Sequence, residues 1–272
     1  MKHKKITDTS AQILSRLNSQ GKAWFSLAEA YALLPGMSET HIRMQVKRMT
    51  DGGLLMRVSD GIYYVIPYDQ DAQTFMPDWH LLAEPLTGGA YYIGYYSALQ
   101  IHNLVTQPSL KEQIVVNERN KSAQKKIKTI KFQLIFHNQK HFFGYKKTWV
   151  DNFNKVQCSD LEKTIIDCLY KPDYAGGIVE VGKAIHIARD KINHGRLLEY
   201  AVKFGSQAVI KRLGYLLELL YIPSPITAKL QKLRTPSITP LDTKLPAQGR
   251  ILSRWSIRQN VDPETIKNAI IT

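Results

Sequence analysis

Cysteine is scarce in this chain. Cys158 and Cys168 are the only two among 272 residues, and they do not form a CxxC pair. That argues against a cysteine-built zinc site. So few thiols in so long a chain also fit a reducing cytoplasm better than a disulfide framework. Long apolar runs are missing as well. Met1-Lys-His-Lys-Lys-Ile6 is basic, but no apolar segment follows, so it does not read as a signal peptide. Pro85–Leu110 has no Lys, Arg, Asp or Glu, yet Gly88-Gly89, Gln100, His102 and Asn103 interrupt it, and no membrane span is expected. Catalytic signatures are lacking too. There is no P-loop, no nucleophile elbow, and no Gly-Ser followed by Asp-x-Asp, which nucleotidyl transfer requires. The expected strands hold no Glu-x-Lys of the kind a metal-dependent nuclease uses. The sequence therefore predicts no enzyme, cofactor or metal. Neither an internal repeat nor a low-complexity tract is present.

Acidic residues are the last shortage: 23 Asp and Glu stand against 37 Lys and Arg, a net charge of +14 with a pI near 9.6. This excess favours a polyanionic partner. The length suits about two domains of roughly 100–200 residues, and a hydrophobic content of 44% is enough for ordinary globular cores.

What is present begins with a patterned N-terminal segment. Thr9–Gln20 has helical spacing, with Ile13 and Leu17 inward and Gly21 as its stop. Ser26 and Glu29 have the spacing of a capping box, opening a second helix that Pro35-Gly36 ends. Ser38 is a good N-cap for a third helix running to Asp51. In it Ile42, Val46 and Met49 share one face. The opposite face carries Thr40, Arg43, Met44 and Lys47, flanked by His41, Gln45 and Arg48. Such a face suits major-groove reading: Arg and Lys for guanine and phosphate, Gln for adenine, an apolar group for the thymine methyl. Gly52-Gly53 leads into a hairpin, Leu54–Val58 and Ile62–Ile66 around Ser59-Asp60-Gly61, with Arg57 and Ser59 near its tip. Three helices followed by such a hairpin predict a winged helix-turn-helix that binds double-stranded DNA through those residues.

Tyr68–Gly89 reads as a linker, rich in Asp, Pro and Gly. Tyr95, Leu99 and His102 then fall at helical spacing. Gln113–Asn117, Ile127–Phe136 and Phe142–Val150 have strand composition. Residues 111–147 hold ten Lys and Arg against two Glu. The cluster Lys121, Lys125, Lys126 and Lys128 is a candidate phosphate-contacting patch. His137 and His141 are spaced i, i+4, but the alternation around them predicts a hairpin turn rather than a metal site. Ser159 and Glu162 predict a second capping box, with Leu161, Ile165 and Leu169 as a buried stripe. Asp160 and Asp167, seven apart, share a helix face while Glu162 points elsewhere, and the macrodipole explains acids at a helix start, so no metal cluster is expected from the three.

Ser159-Asp-Leu-Glu-Lys-Thr-Ile-Ile-Asp167, followed by Pro172 and Gly176-Gly177, resembles the signature of the AbiEi-type antitoxins of abortive-infection, type IV toxin–antitoxin systems. Three further stretches resemble the same family: Tyr92–Leu104, Lys211-Arg-Leu-Gly-Tyr-Leu-Leu-Glu218, and Leu241-Asp242 with Trp255-Ser-Ile-Arg-Gln-Asn260. The resemblance implies a winged helix that binds inverted repeats in its own promoter. It implies a C-terminal domain that opposes a nucleotidyltransferase-like toxin without forming a stable complex, and that assists DNA binding. The fold expected is α+β: a winged helix-turn-helix over residues 1–68, a linker over 69–90, and a larger mixed α/β antitoxin domain over 91–272. Two other readings stay open. One is a ligand-responsive regulator using Tyr91, Tyr92, Tyr95 and Tyr96 as a pocket; the other is a DNA-targeted nuclease.

Overall fold

The computed structural model describes residues 4–119 and 123–270. The chain divides between Gly89 and Ala90 into two compact units, and the fold is α+β. Among the described residues no helix is long and apolar enough to cross a membrane.

The first unit runs α1 (Asp8–Ser19), β1 (Trp24–Ser26), α2 (Leu27–Leu33), α3 (Glu39–Asp51), β2 (Leu55–Ser59), β3 (Ile62–Val65) and α4 (Ala83–Thr87). Ile13 and Leu17 of α1, Ile42, Val46 and Met49 of α3, and Phe25 and Leu55 of the strands form one core. The Ser26–Glu29 capping box forms in full: the serine side chain accepts from Glu29 N at 3.1 Å, and the glutamate accepts from Ser26 N at 2.7 Å. The strand order is β1-β3-β2, both pairs antiparallel. β1 was not expected, because three residues are too few to show alternation. The segment expected to be a linker carries a turn of 3₁₀ helix at Trp79–Leu82 and then α4, with Leu82, Ala83 and Leu86 buried. Asp78 caps it by accepting from His80 N. The first unit therefore continues to Gly89.

The second unit contains a six-stranded mixed sheet. Its elements are β4 (Tyr91–Ile93), α5 (Tyr95–Ile101), β5 (Lys111–Val116), β6 (Gln124–Ile127), β7 (Ile130–Phe136), β8 (Tyr145–Trp149) and β9 (Lys155–Ser159). The helices α6 (Leu161–Tyr170), α7 (Ile178–Ala188), α8 (His194–Phe204), α9 (Gln207–Leu219) and α10 (Thr227–Leu233) follow. Three two-residue strands, β10 (Thr239–Pro240), β11 (Ile251–Leu252) and β12 (Ile257–Arg258), precede α11 (Pro263–Asn268). The sheet order is β6-β7-β5-β4-β9-β8. This corrects two expectations. Ile127–Phe136 is not one strand, because Lys128 takes a left-handed backbone (φ 50°) and turns the chain from β6 into β7. His137–His141 is not a hairpin turn: β7 and β8 lie four strands apart, so the segment crosses the sheet.

α6 is the helix around which this unit is built. Every residue from Glu162 to Leu169 is buried, and the helix touches α5, α7, α8 and α9. Its N-cap is Asp160, not Ser159, whose carboxylate accepts from Lys163 N at 2.9 Å. Ser159 Oγ instead meets Thr164 Oγ1 at 2.7 Å, and Glu162 accepts from Asn193 N at 2.8 Å. A buried strand end draws the serine inward, and an acid that can satisfy an α8 approach amide has no need to reach back to its own cap.

Candidate functional site

The exposed face of α3 comes first. Ser38 accepts from His41 N at 3.3 Å and fixes where the helix starts, a cap worth roughly 1 kcal/mol. Thr40, His41, Arg43, Met44, Lys47 and Arg48 are all exposed, Met44 at 48%. Gln45 is not among them. It is buried, and its amide donates to Thr7 Oγ1 at 2.7 Å. The reason is angular: Gln45 lies three residues after Ile42 and four before Met49, so it shares their face. Thr7 is also the N-cap of α1, so Gln45 ties α3 to the start of α1.

Arg43 is braced. Its Nη2 and Nε donate to the Tyr31 hydroxyl on α2 at 3.1 and 3.3 Å. A long cationic side chain held this way has less rotamer freedom to lose on binding. At the hairpin tip Arg57 is exposed and pairs with Asp60, while Ser59 is half-buried. Of the expected phosphate patch, Lys121 lies outside the described residues. Lys125 (half-buried) and Lys126 (exposed) are on β6, and Lys128 is exposed at the β6–β7 turn. These lysines belong to the second unit, not to the one that carries α3.

The second unit holds a polar cluster at its centre. Lys163 and Asp167, one turn apart on α6 and both fully buried, form an ion pair. Tyr92 Oη donates to Asp167 Oδ2 at 3.0 Å and accepts from Lys163 Nζ at 2.9 Å. His137 Nδ1 lies 3.1 Å from Tyr92 Oη, and its Nε2 lies 2.7 Å from Tyr95 Oη. An ionised carboxylate only accepts, so the Tyr92 proton points at Asp167. His137 must then donate from Nδ1 and accept from Tyr95 at Nε2. Burial, aided by the nearby Lys163 ammonium, pushes the His137 imidazole down to about 3, so it is neutral. Loss of water also pushes the Asp167 carboxyl up and the Lys163 ammonium down. The rings of Tyr92, Phe143 and Phe204 surround the ammonium at 5.1, 5.1 and 5.2 Å.

The other singled-out segments close around the same helix. Arg212 is buried on α9 and donates to Leu169 O (2.7 Å) and Tyr170 O (3.2 Å) at the end of α6, and to Pro240 O (2.9 Å). The guanidinium thus satisfies orphan helix carbonyls and joins β10 to α6. Gly214 admits the Trp255 ring so closely that a Cβ there would stand 2.0 Å from it. Asp242 Oδ2 accepts from Ile178 N at 2.9 Å, capping α7 from a distant segment, and Asn260 Oδ1 accepts from Asp242 N at 3.0 Å. These residue choices therefore shape and hold the unit.

Lys163, the Tyr31 brace and the place of His137 in the buried cluster were missed in the sequence. The signal for Lys163 was present: a Lys and an Asp four apart inside an otherwise apolar helix. The local i, i+4 spacing of His137 with His141 does not point to this cluster, where its partners are 30 or more residues away in sequence (Tyr92, Tyr95 and Asp167).

No protein-family model matches the chain, and no curated protein matches it. Among solved structures it is similar to the crystal structure of the RV2827C protein from Mycobacterium tuberculosis. The identity is 12% and the TM-score 0.66, covering 94% of this chain and 92% of that one. At that identity the likeness concerns the fold alone.

Proposed function

We propose that this chain is an antitoxin of a type IV toxin–antitoxin system. It represses its own operon by binding inverted repeats in the promoter, and it counteracts a nucleotidyltransferase-like toxin without forming a stable complex with it. In this reading it acts in the cytoplasm and is not an enzyme. The observation that carries the DNA part is the exposed face of α3: Arg43, Lys47 and Arg48 project from a helix seated on a core, followed by a hairpin with Arg57 near its tip. The element order of the first unit suits a winged helix-turn-helix in which α3 enters the major groove and the hairpin touches the backbone. The antitoxin part is supported by the four ordered segments that resemble the AbiEi-type family.

The test is a titration of the whole protein against its own upstream promoter duplex and a scrambled duplex, at two salt concentrations. Tight, sequence-selective binding is expected, weakened by Arg43→Ala and Lys47→Ala. Lys47→Ala should also lower the salt slope by about one if it contacts phosphate. Equal, weak and salt-sensitive binding to both duplexes would overturn the repressor reading. Restored growth when the chain is co-expressed with the neighbouring toxin, without co-purification of the two, tests the antitoxin reading.

A further inference from the structure

β8 and β9 form an antiparallel hairpin at one end of the six-stranded sheet, with β8 as the terminal strand. Its composition is unusual for a sheet edge. Lys146, Lys147 and Lys155 are exposed, and with them Trp149 (56% exposed) and Phe153 (87% exposed). Strand alternation puts Lys147 and Trp149 on one face and Lys146 on the other, and the register Trp149↔Lys155 adds Lys155 to the first. Lys155 Nζ sits 4.1 Å from the Trp149 ring centroid, which steadies the indole while leaving much of it in water. Phe153 stands at the turn, and that turn is fixed. The Asp151 carboxylate accepts from Phe153 N and Asn154 N, both at 2.7 Å, and from Asn154 Nδ2 at 2.8 Å. The one acid of the hairpin is thus occupied within the turn.

Lysines on an edge strand guard against pairing with other chains. That accounts for Lys146 and Lys147, but it runs against placing two large bare rings beside them. Cations flanking exposed aromatic faces suit a ligand with negative charge along its length and flat apolar groups between the charges. We propose that the β8–β9 hairpin is a binding platform for single-stranded nucleic acid. In it Trp149 and Phe153 stack on bases, and Lys147 and Lys155 meet the phosphates. This site is separate from the duplex-reading surface proposed for α3, and it requires neither the repressor nor the antitoxin reading.

The experiment titrates labelled oligouridylate and oligothymidylate with the full chain, beside the promoter duplex. Trp149→Leu and Phe153→Leu should each weaken binding of the single strands by roughly tenfold, the scale of one lost stack. Trp149→Phe, which keeps a stacking face, should recover most of the loss. Duplex affinity should stay unchanged in all three. Both rings are solvent-exposed, so the variants should keep the parent's thermal unfolding. The ratio of the two oligomers' affinities then tells RNA from DNA. Single-strand binding that is lost in Lys147→Gln but untouched by both Leu variants would mean charge alone and overturn the proposal. A parallel loss on the promoter duplex would also overturn it. So would the absence of any single-strand binding, which would leave the strand edge to a polypeptide partner.

Discussion

Replacing Asp167 with Ala should be among the most damaging single changes in the second unit. The carboxylate is fully buried and holds the Lys163 ammonium and the Tyr92 hydroxyl. Its loss leaves a cation inside a ring of aromatic side chains, with only the Tyr92 oxygen to receive it. Breaking a buried pair from one side costs about 3–5 kcal/mol. For a unit of this size about 1 kcal/mol corresponds to roughly 2–4 °C, so the melting transition should fall by roughly 6–20 °C. Lys163→Met alone should cost less, because the remaining carboxylate keeps the Tyr92 donor. The informative variant is the double one, Lys163→Met with Asp167→Leu. Burial works against both charges, so the pair repays little beyond its own desolvation. The double variant should therefore recover most of the stability lost in Asp167→Ala. Thermal and urea unfolding of the parent, Asp167→Leu, Lys163→Met and the double variant, analysed as a double-mutant cycle, gives the coupling. If Asp167→Ala costs under about 1 kcal/mol, or if the double variant is worse than either single, the pair is not a charge pair of the kind described.

His137 should give the second unit a pH dependence below neutrality. Its folded value is pushed down to about 3, while the unfolded imidazole titrates near about 6.5. The unfolded chain therefore binds the proton first as pH falls. Stability should be complete above about pH 6.5 and decline by up to about 1.4 kcal/mol per pH unit towards pH 3; His137→Gln should flatten that slope in urea titrations. Gly214→Ala should fail to fold or melt far below the parent, since its Cβ would meet the Trp255 ring at 2.0 Å; Gly214→Ala with Trp255→Leu should regain part of the loss. Gln45→Ala should lower stability by about 1 kcal/mol through loss of the Thr7 hydrogen bond, yet leave promoter affinity within twofold at temperatures where the protein is folded. A larger effect on affinity would put Gln45 back on the DNA side.

How much of this was legible in the sequence depended on how local the cause was. The caps at Ser26 and Ser38, and the inward face of Ile42, Val46 and Met49, rest on interactions three and four residues apart. They were read correctly. Gln45 was misassigned because a polar type was weighed above its angular position between Ile42 and Met49. The Ser159 cap failed for a different reason: its neighbour Asp160 competed, and a buried partner, Thr164, took the serine. The crossover at His137–His141 was hidden altogether. Strand order is a property of distant pairings, and alternation along one strand says nothing about which strand lies beside it. The buried cluster followed the same logic. The four-residue spacing of Lys163 and Asp167 is local and was overlooked, whereas Tyr92, Tyr95 and His137 join them only through the sheet. The segments that resemble a family thus report how this unit is held together. That is why they mark a fold more directly than an activity.

The hairpin tip offers a test of the DNA reading that does not rest on removing a cation. In the free protein Arg57 is paired with Asp60, and both are exposed. Such a pair contributes only about 0–1 kcal/mol to stability. It does hold a carboxylate beside Arg57, the hairpin arginine that the proposed DNA reading brings to a phosphate. DNA binding would have to share or break that pairing while bringing the backbone close to Asp60. Asp60→Asn removes the charge and keeps a residue that suits the turn before Gly61 equally well, so the hairpin should fold as before. Promoter affinity should rise about two- to fivefold, the equivalent of 0.5–1 kcal/mol, and the gain should shrink as salt increases. Asp60→Asn combined with Arg57→Ala should lose the gain. If Asp60→Asn leaves affinity and its salt dependence unchanged, the tip does not approach the duplex. The hairpin would then serve the core of the first unit alone, through Leu55, Tyr64 and Ile66.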